Sequence, residues 1–273
     1  MCTVITKKSI VCIFCFISIM KLSFAQNPET FDIISTTGKI IDKRSGKALQ
    51  IGDKVSFQTE LEFGSLHDRA ILLNSTKQKY HLELPLSSFV NSQLTVTSNQ
   101  ALKPVKGRPA LLTGIRGNTV MVNDGLCPQT LKEYFHIDTF TIVGTNFKLP
   151  VKTQDTKKYD LVLRYKNGNN YEEFTSTDFR ISKNDLKIQG ERITECHILL
   201  REGDITIPIT TLTLFFVDEK QLFQEFEAIL NAIGQKKVVN NEIREFLSDY
   251  CSDVYGMIDV RVLFTAINDF LEL

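Results

Sequence analysis

Few residues of this chain have the type and spacing for covalent chemistry. Cys127 precedes Pro128 at the start of a predicted helix, with His136 a little further along. A thiol at a helix N-terminus has its pKa lowered by the partial positive charge there, and an imidazole nearby would stabilise the thiolate. That is the arrangement of a thiol hydrolase. Ser65 and His67 stand two residues apart. On a strand, residues at i and i+2 point to the same face, so a hydroxyl and an imidazole could meet. Neither pair comes with a nucleophile elbow or a readable third member.

Other constellations read as ordinary structure. The histidines at 67, 81, 136 and 197 are not paired at the spacing of a zinc helix or finger. Glu172 and Glu173 lie beside Asp178, but neighbouring strand residues face opposite sides and cannot share one site. Gly144-Thr145-Asn146 and Gly114-x-x-Gly117 are turns without the strand–glycine–helix context of a phosphate loop. Lys152, Lys157 and Lys158 are basic without the aromatic interleaving that stacks bases. Cys12-x-x-Cys15 has redox or zinc spacing but lies within an apolar run. We therefore assign no catalytic, cofactor-binding or metal-ligating residue from the sequence.

That apolar run gives the chain its expected address. Lys7 and Lys8 precede Ser9–Met20, and Ser23-Phe24-Ala25 forms a small-x-small pattern. Residues 1–25 read as a secretory signal peptide cleaved after Ala25. The run is shorter than the roughly 20 residues of a spanning helix. Val11 and Phe14 precede its cysteines where a lipobox would need a small residue. The expectation is a soluble mature chain, in the periplasm or outside the cell.

The leader carries three lysines and no acid, so its removal takes the formal charge from +0 to −3. That balance excludes a general nucleic-acid binder, which carries a basic stripe. Cys127, Cys196 and Cys251 remain. Three widely separated cysteines exclude a disulfide scaffold and fit free thiols packed as small hydrophobes.

The elements that would position these residues are mostly short strands. Residues 28–90 alternate apolar and turn residues at the density of a small β module, with turns at Arg44–Lys47, Gly52-Asp53 and Asn74–Lys77. Residues 91–137 form a polar linker with Pro104 and Gly107, a hairpin around Gly114–Asn118, and a short helix from Pro128 carrying Leu131, Tyr134 and Phe135. Residues 138–217 hold about seven strands, with hairpin turns at Asn167–Asn170 and Arg201–Asp204. That density suits an immunoglobulin-like β-sandwich, without its inter-sheet disulfide. Residues 218–273 change to helical periodicity. Asp218, Asn240 and Asp259 cap three amphipathic helices, and Gly234 and Gly256 stop the first two. The expected class is mainly β with a C-terminal three-helix tail.

Gly38-Lys39-Ile40, Gly46–Leu49, Gly52–Val55 and Arg69–Leu73 together resemble FecR-like domains, β modules of bacterial periplasmic signalling proteins. Asn74–Lys77 replaces that pattern's aspartate-glycine turn. The whole chain is also similar to uncharacterised exported proteins of Bacteroidetes-type bacteria. The residues and this resemblance support an exported, non-enzymatic binding or interaction protein of the cell envelope with a protein partner. The alternatives are an exported hydrolase with a Cys127- or Ser65-based nucleophile, and, from the resemblance, a subunit of an envelope signalling assembly.

Overall fold

Alternation of apolar and polar residues gives most segments one face to bury, and sheets are the result. The computed structural model describes residues 29–85, 88, 94–105, 126–152, 154–188, 190–238 and 240–272. The expected leader and the hairpin around Gly114 lie outside these residues. The chain divides into two units, 1–105 and 106–273.

The first unit is all antiparallel. Strands β1 (Thr30–Thr37), β4 (Lys54–Ser56), β6 (Arg69–Asn74), β7 (Lys79–Glu83) and β9 (Leu102–Pro104) pair in the order β4-β1-β6-β7-β9. A second sheet runs β3-β2-β5-β8, from β2 (Ile40–Asp42), β3 (Lys47–Ala48), β5 (Glu60–Phe63) and β8 (Thr95–Thr97). The two sheets share one core that includes Phe31, Ile33, Ile40, Leu61, Phe63, Leu72 and Leu82. Each such side chain, fully buried, contributes about 1.5–3 kcal/mol. The module runs past residue 90 into the segment read as linker. β8 pairs with β5, β9 pairs with β7, and the one-turn helix α1 (Ser98–Ala101) joins them. Three-residue strands are too short to show a period. Pro104 ends β9, which lies at the sheet edge, where a missing backbone N–H leaves no ladder bond unmade.

The second unit is built on one six-stranded sheet, ordered β13-β12-β15-β16-β10-β17. Its strands are β10 (Thr139–Val143), β12 (Asp160–Asn167), β13 (Asn170–Ser176), β15 (Arg192–Glu202), β16 (Ile205–Val217) and β17 (Met257–Ile258). A two-stranded sheet, β11 (Asn146–Lys148) with β14 (Arg180–Ser182), shares a core with it. Helix α2 (Pro128–Tyr134) packs into the same core through Leu131 and Tyr134, and the Tyr134 ring meets that of Phe140. The mainly β class and the C-terminal helices are as expected. The pairing is more particular than an antiparallel immunoglobulin sandwich, because β10 runs parallel to both β16 and β17.

The tail forms three helices: α3 (Glu219–Ala232), α4 (Asn241–Tyr255) and α5 (Val260–Glu272). Their caps are those the sequence predicts. Asp218 accepts from the N–H groups of Lys220 and Gln221, Asn240 from Glu242, and Asp259 from Arg261. Gly256 follows α4 at φ 75°, a conformation that costs other residues strain. The tail is not an appendage, because β17 interrupts it and joins the sheet edge. Thr141 donates to the Tyr255 carbonyl at 2.5 Å, and Phe215 stacks on the Tyr255 ring.

Two buried carboxylates tie the helices down. Glu225 on α3 is fully buried and accepts from the hydroxyls of Tyr250 (2.9 Å) and Tyr255 and from the Gln221 amide (3.1 Å). Asp259, also buried, accepts from the Tyr134 hydroxyl at 2.6 Å and from the Arg261 guanidinium at two contacts of 3.0 Å. Burial, and then the neighbouring carboxylate, push the Tyr134 and Tyr250 phenols well above their usual pKa, so both remain donors. Glu225→Ala should cost about 1–3 kcal/mol for each orphaned phenol. Denaturant unfolding measures this, and Glu225→Gln should cost less because it retains an acceptor.

Candidate functional site

The Ser65–Asp68 loop joins β5 to β6. Its side chains are organised around Asp68, which is 7% exposed. Asp68 accepts from the Lys39 N–H (3.1 Å), the Ser65 N–H (2.8 Å) and the Ser65 hydroxyl (2.6 Å). Ser65 Oγ in turn accepts from the His67 N–H at 3.2 Å. The serine proton is therefore directed at a carboxylate that shapes the loop. Gly38 must be glycine here: at φ +81° its Cβ would lie 2.0 Å from Asp68 Oδ1. Burial pushes the Asp68 carboxyl up, but the hydrogen bonds from Ser65 and from the backbone N–H groups outweigh it and hold the pKa below the usual value.

Cys127 takes the N-cap of α2. Its sulfur accepts from the Thr130 N–H at 3.5 Å, and its own N–H donates to the Thr130 hydroxyl at 2.9 Å. Burial pushes the thiol up, yet the donors of Thr130 and Gln129 outweigh burial and bring it below an ordinary thiol. His136 is exposed just past the other end of this two-turn helix, with Nδ1 2.8 Å from the Glu133 carbonyl. Cys196 is buried in the core of the second unit, and burial raises its pKa to about 12.

The remaining charged candidates are parts of turns and faces. Glu172 and Glu173 do point to opposite sides of the sheet. Glu172 accepts from Asn167 and Tyr165, while Glu173 pairs with Arg201 at 2.6 Å. Asp178 accepts from Ser176 and from the Arg180 N–H within a turn. Lys158 pairs with Glu202 and lies over the Tyr159 ring. Gly144 takes φ +79° in the turn before β11. Among the described residues, no group of three or more His, Cys, Asp or Glu could hold a metal ion.

One constellation escapes sequence inspection. The strand registers place Glu173, Arg164, His197 and Thr211 in a single row across β13, β12, β15 and β16, on the face opposite the core. Arg164 lies over the Tyr171 ring at 5.3 Å. The Tyr171 hydroxyl donates to Glu195 at 2.6 Å, Glu195 lies 3.3 Å from His197 Nε2, and His197 Nδ1 is 2.8 Å from the Thr211 hydroxyl. Tyr171 is 46% exposed. The Tyr171 hydrogen bond draws the Glu195 carboxyl below its ordinary value. The result is a polar surface centred on an aromatic ring, with side chains that bond to one another.

No protein-family model, curated protein or solved structure matches the chain. The geometry of the loop and the cap leads to two expected outcomes. Iodoacetamide should label Cys127 first, at mildly acidic pH, while Cys196 reacts only on unfolding; equal labelling rates would refute the cap effect. Asp68→Asn should lose about 1–3 kcal/mol at neutral pH. A carboxyl depressed in the folded state stabilises above its unfolded pKa of roughly 3.9, and this is lost as pH falls through the folded value. The gap between wild type and variant should therefore close as unfolding is measured at progressively more acidic pH.

Proposed function

We propose that this chain is an exported, non-enzymatic binding protein of the cell envelope, and that the outer face of β12, β13, β15 and β16 contacts its protein partner. The observation that carries this reading is Tyr171, an exposed aromatic ring held between Arg164 and Glu195. Tyr and Arg are the residues most enriched at interface hot spots, because they offer large contact area at low entropic cost once fixed. The commitment of the Ser65 hydroxyl to Asp68 supports binding over serine chemistry. No helix among the described residues is long and apolar enough to cross a membrane.

A second reading, an exported hydrolase, draws on the lowered Cys127 thiol alone. Cys127→Ala separates the two, since it should leave a binding function intact. The direct test is in-cell cross-linking of the tagged full chain, wild type against Tyr171→Ala and Arg164→Ala. The expected result is a specific set of envelope proteins captured by wild type and depleted at least about tenfold in each variant, the scale of a lost hot spot. Capture that is indifferent to both substitutions would overturn the assignment of this face.

A further inference from the structure

A strand at the end of a sheet has main-chain groups that can pair with another chain. Proteins blunt such edges with very short strands, lysines, prolines and bulges. Among the described residues, the strands that end the sheets are β3, β4, β8, β9, β11, β14, β17 and β13. All but β13 are two or three residues long. The side of β16 that β10 leaves open before Thr213 carries Pro208 and a register shift. β13 runs for seven residues, Asn170–Ser176, with no proline, no lysine and no break in its register with β12.

The hairpin decides which groups of β13 are open. Asn167 and Asn170 flank a two-residue turn and bond to each other, so every second residue after Asn170 faces away from β12. Those residues are Tyr171, Glu173 and Thr175, and all three are exposed. No other described residue bonds to their main-chain N–H and C=O groups. The side chains alternate as well. Glu173 lies on the outer face in the Arg164 row, while Phe174 is half-buried and packs against the core.

A row of alternating donors and acceptors at strand spacing fits one kind of occupant, another extended strand. Charge selects whose strand it is. β13 carries Glu172 and Glu173 and no basic residue. The antiparallel register that pairs its whole length with a second copy opposes Glu173 to its own counterpart, and a parallel copy in register stacks both acids. Like charges directly opposite destabilise a strand pair, and opposite charges stabilise it. We propose that the open edge of β13 receives an extended strand of a protein partner, bonded through its main chain to Tyr171, Glu173 and Thr175. That strand carries a basic side chain beside Glu173 and, next to it in sequence and on the opposite face, an apolar side chain beside Phe174. The proposal rests on the outer-face reading above and supplies its mode of contact, since Tyr171 lies on this edge.

The probe is a displayed library of linear peptides selected on the full chain, with selected peptides titrated by fluorescence anisotropy. Selected peptides should share an apolar residue adjacent to Lys or Arg. N-methylation, moved along a selected peptide one residue at a time, should weaken binding at least about tenfold at every second position and little between, the period of a ladder. Hydrogen exchange at the Tyr171, Glu173 and Thr175 amides should slow at least about tenfold when peptide is bound. Thr175→Pro removes an outward N–H and should weaken binding by a similar factor, while Thr175→Val, which keeps the N–H, should not. Glu173→Lys should turn the selection toward acidic peptides. The proposal is overturned if no peptide is selected, if the N-methyl scan lacks a period of two, or if the three amides exchange alike in free and bound protein. A concentration-dependent dimer abolished by Thr175→Pro would assign the edge to a second copy and overturn it too. None of these outcomes touches the outer-face reading where Tyr171→Ala still depletes cross-linked partners. That reading fails separately, when cross-linking captures none or ignores Tyr171→Ala, and the peptide results still decide the edge.

Discussion

Without Met257 and Ile258, strand β10 would be an open parallel edge, with β16 bonded on one side only. Two residues of strand close it, and much of the second unit depends on that closure. The pair fixes Asp259 beside the sheet, where one carboxylate caps α5, holds Arg261 and accepts from Tyr134 of α2. A helix preceding the first strand of the sheet is thereby linked to the last helix of the chain. A partner-deleted buried charge is expensive, so the contacts of Asp259 stand or fall together. Glu225 repeats the device between α3 and α4. The C-terminal helices are thus part of the sheet's own structure, and residues 218–273 do not form a detachable tail.

The long-period features were legible because local chemistry decides them. Helix caps at Asp218, Asn240 and Asp259 need only a short polar side chain before an amphipathic run. The hairpin at Asn167–Asn170 needs only the positive φ that Gly168 supplies. Long-range pairing could not be read. The parallel partnership of β10 with β16 joins residues far apart in the chain, and nothing in either strand's alternation selects it. Strands β8, β9 and β17 are too short to have a period, so residues 91–105 looked like linker and Gly256–Asp259 looked like a helix break.

The outer-face row shows the same limit at finer scale. The hairpin turn alone aligns Arg164 with Glu173, since pairing runs outward in step from Asn167 and Asn170. A matching extrapolation from the turn at Gly203 fails to align His197 with Thr211, because a register shift between Ile198 and Leu199 intervenes. Such a bulge slips one strand by a residue and re-aims the side chains beyond it. The row is therefore half readable from turns and half created by an irregularity. Its ion pairs are exposed and add little to stability, so the order they impose on Tyr171 serves the surface more than the fold.

The helices carry polar groups in two opposite conditions. Around Glu225, every phenol oxygen and both carboxylate oxygens have partners, and the result is rigidity. Between α4 and α5, a guanidinium nitrogen and an amide oxygen are equally buried and have none. Both arrangements occur on α4, on adjacent stripes of one helix. The satisfied centre ties α3 to α4, and the two unpartnered atoms lie where α4 faces α5.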